Sequence, residues 1–219
     1  MSYYSTPVML SGAKTQGAPS LIENQQSLAA PINQHFVEWF SGDALDSIWT
    51  QTFVGSGSVA MDDVINGGVK LQTGSATNDV TVIEFEDVNH YSATGSVFIT
   101  NVKTSNLTSN DVDFGFSQRA GSNHRMFIRY RQSTSTTELV TKDGTTINLQ
   151  DLSDTPDTNW HNWKIQCHST FGSATKDGDL IGITTSNLPT QKMSLIFATK
   201  TYTTAAKDMS IRYCEAYNT

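Results

Sequence analysis

Cysteine is nearly absent from this chain: Cys167 and Cys214 are the only two. Two thiols cannot build a disulfide framework, so burial of apolar surface has to hold the fold together. Such usage fits folding in a reducing cytosol. Long apolar runs are missing as well. Stretches such as SLIFA at 194–198 are far too short to span a bilayer, so no membrane partner is expected. Charged residues are scarce at 16 %, and their balance is −7. That acidic excess argues against a broad nucleic-acid footprint. The opening MSYYSTPVMLSGAKTQ lacks a basic segment followed by an apolar one, so no secretory signal is expected. GSGS at 55–58 has no following lysine, so it is no phosphate loop. No Gly-x-Ser-x-Gly nucleophile elbow occurs either.

What the chain does have is Thr, Ser, Asn, Gln and Gly around short apolar strings. Residues 1–34 are small and polar, with Pro19 and Pro31 and no sustained period; they read as an extended N-terminal arm. From His35 the pattern changes to short strands separated by turn clusters. DVDFGFS (111–117) puts Val112, Phe114 and Phe116 on one face. RMFIRYR (125–131) puts Met126, Ile128 and Tyr130 on one face and Arg125, Phe127, Arg129 and Arg131 on the other. KDGT (142–145) makes a hairpin turn between TELV and TINL. In NWKIQCH, Trp163, Ile165 and Cys167 share a face. Cys214 falls out of phase with Met209, Ile211 and Tyr213, which places the two thiols toward different sides. About a dozen short strands and no sustained helical period predict an all-β fold: a two-sheet antiparallel sandwich over 35–219 behind an arm at 1–34.

Phe40, Leu45, Asp46, Trp49 and the Gly67-Gly68 pair before a strand resemble the opening of the concanavalin A-like (laminin-G/glucanase type) jelly-roll superfamily. DFGFS, FIRYR, NWHNWKI, SNLPTQKMSLIFAT and IRYCEAYN extend the resemblance over roughly 36–219. It implies a jelly-roll sandwich. It leaves function open, because many activities share the scaffold. In such domains the Trp-His-x-aromatic-Lys-Ile strand is a structural element, which would place Trp163 in the core.

Glucanase-like relatives carry an alternating Glu-x-Asp-x-x-Glu strand. The nearest string, EFEDV, offers Glu84, Glu86 and Asp87, but it lacks the third carboxylate and lies too early in the chain. His161 and His168 show no partner constellation in sequence. No catalytic set is therefore expected, and the chain reads as non-enzymatic. Asp151, Asp154 and Asp157 in DLSDTPD are weak calcium candidates, and Asp62-Asp63 and Asp111/Asp113 are similar acidic pairs; no other cofactor is expected, and zinc-ligand spacing is absent. The ligand-binding candidates are the ladder Arg125, Phe127, Arg129 and Arg131, with Trp160 beside it and Tyr91 and Tyr202 as rim aromatics. The bland reading of the ladder is an outer sheet face paired with neighbours such as Glu138.

A sandwich without a catalytic set, made in the cytosol behind a polar arm, predicts a structural protein. The specific expectation is a virion component, a capsid decoration (cement) protein or fibre module. Its arm would bind other copies of itself or other capsid proteins. A stand-alone carbohydrate-binding, lectin-like module and, further off, a divergent glucanase are the alternatives.

Overall fold

A computed structural model describes residues 35–62, 67–85, 89–105, 108–118, 123–131 and 135–219. The described residues form fifteen strands and no helix. In chain order the first five are β1 (His35–Glu38), β2 (Trp49–Val54), β3 (Ser58–Met61), β4 (Val69–Gln72) and β5 (Val80–Phe85). Next come β6 (Ser96–Thr104), β7 (Asn110–Ser117), β8 (His124–Arg131), β9 (Thr136–Asp143) and β10 (Ile147–Asp151). The last five are β11 (His161–Cys167), β12 (Gly172–Lys176), β13 (Asp179–Thr184), β14 (Ser194–Thr201) and β15 (Asp208–Asn218). No helix among the described residues is long and apolar enough to cross a membrane.

The strands make two antiparallel sheets. The first runs β13-β12-β11-β6-β15-β4-β3, with β1 also on β15; the second runs β10-β9-β8-β7-β14-β5-β2. The expected two-sheet sandwich is thus the observed one. Period-two alternation drives it, since each strand sends alternate side chains inward. Phe98 from the first sheet meets Phe116 and Phe197 of the second, at ring separations of 5.8 and 5.7 Å. Trp163 is 6 % exposed and lies edge-on to Phe114 at 5.5 Å, so the aromatic-rich β11 fills the interior as expected. β5 is regular: Thr81, Ile83 and Phe85 all point inward and are fully buried.

One phase expectation is corrected. The β15–β6 ladder runs to Ile211↔Val102 and resumes at Tyr213↔Asn101, leaving Arg212 as an extra residue. A one-residue bulge exchanges the faces beyond it. Cys214 and Ala216 therefore turn into the core, fully buried, while Tyr213, Glu215 and Tyr217 face outward. Both cysteines are buried free thiols, and burial pushes both thiol pKa values up.

Candidate functional site

The arginine ladder lies on the outer face of the second sheet, because its inward alternates Met126, Ile128 and Tyr130 fill the core. Strand register extends the ladder into rows. One row reads Glu138, Arg129, Asp113, Ala198, Val82 and Thr52 from β9 to β2. The next reads Val140, Phe127, Gly115, Ile196 and Glu84.

Within these rows the charges are mostly spent on each other. Arg129 donates to Asp113 through Nε at 2.8 Å and a second guanidinium nitrogen at 2.6 Å, a bidentate pair. Burial alone would weaken the Arg129 charge, but Asp113 outweighs it and the pKa is raised. Arg131 faces Glu138 at 3.4 Å. Glu138 is only 8 % exposed, and burial raises its carboxyl pKa against the opposing pull of Arg131 and Arg129. Asp111, the next carboxylate on β7, accepts the Tyr202 hydroxyl at 2.7 Å. Burial first, and then that bond, push Tyr202 up to about 12.

Phe127 is 2 % exposed although it points out of the sheet. The guanidinium carbons of Arg125 and Arg129 lie 5.9 and 5.2 Å from its ring, so it is an aromatic floor beneath two cations and not itself a contact surface. Arg125 differs from its neighbours: its Nε is buried with no hydrogen-bond partner. Burial lowers its pKa against the opposing pull of Asp113 and Glu84.

The other sequence candidates lie elsewhere. Tyr91 is fully buried, which corrects its placement on a rim; Tyr202, 40 % exposed, does stand at the edge of the ladder. Trp160 lies just before β11 of the first sheet, where its ring sits under Arg212 at 4.1 Å and Lys103 at 5.0 Å. It does not join the ladder. The three loop aspartates do not converge. Asp151 caps Ser153, Asp154 takes Lys176 and Thr137, and Asp157 takes His161. No group of three His, Cys, Asp or Glu among the described residues could hold a metal ion. Glu86 and Asp87 of EFEDV, and the arm at 1–34 on which the virion expectation rests, lie outside the described residues.

Two features escaped the sequence reading. His161 is clamped, Nδ1 to Asp177 at 2.6 Å and Nε2 to Asp157 at 2.9 Å. Both partners only accept, so the geometry suits the imidazolium. His161 and Asp157 also line a cavity of about 40 Å³ between the sheets, together with Val102, Phe114, Ile128 and Trp163. That is room for little more than water. The second is the pairing of Asp111 and Asp113, weak acidic candidates in sequence, with Tyr202 and Arg129 across strands.

No protein-family model matches the sequence. No curated protein is similar to it by sequence. Solved structures are similar in fold. A β-glucanase of Bacillus licheniformis aligns at 11 % identity and TM-score 0.63 over 84 % of this chain and 98 % of its own. A structure described with endo-acting O-glycanases of the human gut microbiota aligns at 10 % identity and TM-score 0.65, over 84 % and 98 %. A protein of unknown function from Shewanella oneidensis MR-1 aligns at 12 % identity and TM-score 0.64, over 94 % and 96 %. The fold is the concanavalin A-like jelly roll. At these identities the likeness shows the fold alone. It still corrects the non-enzymatic expectation. Several of these similar structures are glycoside hydrolases, so the scaffold gives no ground for excluding catalysis.

Proposed function

We propose that this protein engages carbohydrate along the outer face of the second sheet, with the Arg125 guanidinium anchoring an acidic group of the glycan. One observation carries the reading. Arg129 is neutralised by Asp113 and Arg131 faces Glu138, whereas Arg125 Nε is buried without a partner. A carboxylate or sulfate would satisfy that donor with a charge-assisted bond, over a floor made of Phe127. Similarity in fold to a β-glucanase and to O-glycanases supports a glycan over other anionic ligands. A glycan array comparing acidic with neutral oligosaccharides tests this. Acidic chains should bind, and Arg125→Gln should weaken them by about tenfold or more, as expected for a lost charge-assisted bond. Equal binding of neutral chains, or no effect of the substitution, would sink it.

A hydrolytic reading rests on Glu138. Glycoside hydrolysis needs a carboxyl of raised pKa near a second carboxylate. Glu138 has the raised pKa, and Asp113 lies in the same row with Arg129 between them. Reducing-sugar release from acidic polysaccharides, abolished by Glu138→Gln, is the expected result. Release that persists in that variant ends this assignment.

A further inference from the structure

We infer that the outer face of the first sheet carries a separate platform for an uncharged glycan, centred on Trp39. Trp39 is 60 % exposed, whereas Trp49 and Trp163 are 4 % and 6 % exposed. An indole left this open gives up a large burial energy, and Val37, opposite Glu215 on the same face, is 43 % exposed, so the two make an exposed apolar patch.

The ring is held in place. It leans on Tyr213 at a centroid distance of 4.5 Å and an interplanar angle of 46°. Tyr213 donates its hydroxyl to Glu215, and the other Glu215 oxygen takes His35 Nε2 at 2.8 Å. His35 in turn meets the Tyr217 ring edge-on at 5.6 Å. All of these groups sit on one face because the Arg212 bulge turns Tyr213, Glu215 and Tyr217 outward together. Register sets Asn101 beside Tyr213, and Asn162 beside Asn101. Asn101 Nδ2 donates to Asn162 Oδ1 at 2.9 Å, which lines up the two amides as a hydrogen-bonding row.

The chemistry selects the ligand. Glu215 accepts from both Tyr213 and His35, and Arg212, the residue before Tyr213, lies over the Trp160 ring, so Trp39 itself stands against a phenol and not against a charge. It offers a flat aromatic ring, two amides, a phenol and a carboxylate on a sheet surface. Sugar C–H faces stack on such rings, and hydroxyls exchange bonds with such donors and acceptors. The site uses none of the residues of the Arg125 ladder.

The test is native affinity electrophoresis of the full chain through gels holding a soluble mixed-linkage β-glucan or a galactomannan. At least one neutral polymer should retard the chain. Trp39→Ala should lose that retardation by about tenfold in affinity, and Trp39→Phe should keep part of it. Arg125→Gln should leave it unchanged, which separates this inference from the acidic-glycan reading. Iodide quenching of tryptophan fluorescence should fall when the retarding polymer is added, and Trp39→Ala should remove that protection. The inference is overturned if no neutral polymer retards the chain, or if Trp39→Ala migrates like the parent. It is also overturned if the substitution instead abolishes self-association seen by light scattering, because the patch would then be a protein contact.

Discussion

His161 shows how much chemistry a single side chain can hide from sequence reading. Burial opposes its charge, but the hydrogen bonds to Asp177 and Asp157 outweigh that and raise its pKa above the usual 6.5. A raised folded-state value means the protonated clamp stabilises the native state fully below about pH 6.5. That contribution fades as pH climbs through the folded value. Asp157 and Asp177 carry the opposite dependence, since both are lowered in the folded state and their contribution is lost as pH falls into the acid range. His161→Gln should therefore cost stability at pH 6 and little at pH 9. Urea midpoints measured across that range check it; an equal cost at both ends removes the clamp. Asp157 lies four residues before His161 and was in view as a loop acid. Asp177 comes from the β12–β13 turn, and only strand pairing brings it across. The same holds for Arg125 Nε, whose lack of a hydrogen-bond partner depends on the neighbouring strands.

At the level of the strand, alternation was legible almost everywhere. Val112, Phe114 and Phe116 point in as read, and the β8 arginines point out. Alternation failed in β15, where nothing in MSIRYCEAY marks Arg212 as a bulge. Its physical cause is pairing with β6 on one side and with β4 and then β1 on the other. Deleting Arg212 should close the bulge into simple alternation and leave Cys214 facing inward, because Tyr213 then follows Ile211 directly against Asn101. The native chain should resist a thiol reagent without denaturant, because both cysteines are buried. The deletion variant should resist it too and keep cooperative urea unfolding, because the ladder register on both sides of the bulge is unchanged. Labelling of Cys214 in that variant would show that the Arg212 bulge does not set the phase of the strand beyond it.

For the molecule as a whole, the sandwich presents two chemically distinct outer faces. One is a charge-paired arginine and aspartate surface on the second sheet; the other is an aromatic and amide surface on the first. The assembly expected of residues 1–34 is a separate matter, tested by light scattering on the full chain. A multimer of fixed mass is the expected outcome, and a monomer ends the idea. The sequence by itself determined the fold class, the inward residues of most strands and the position of Trp163, because period-two burial is a local property of each strand. Tertiary structure alone decided which sheet each strand joined. It thereby decided that Trp160 stands apart from the arginine ladder, that Arg125 Nε lacks a hydrogen-bond partner, and that Trp39 lies open beside Tyr213. Those facts depend on contacts between residues far apart in the chain, and single-strand periodicity carries no information about them.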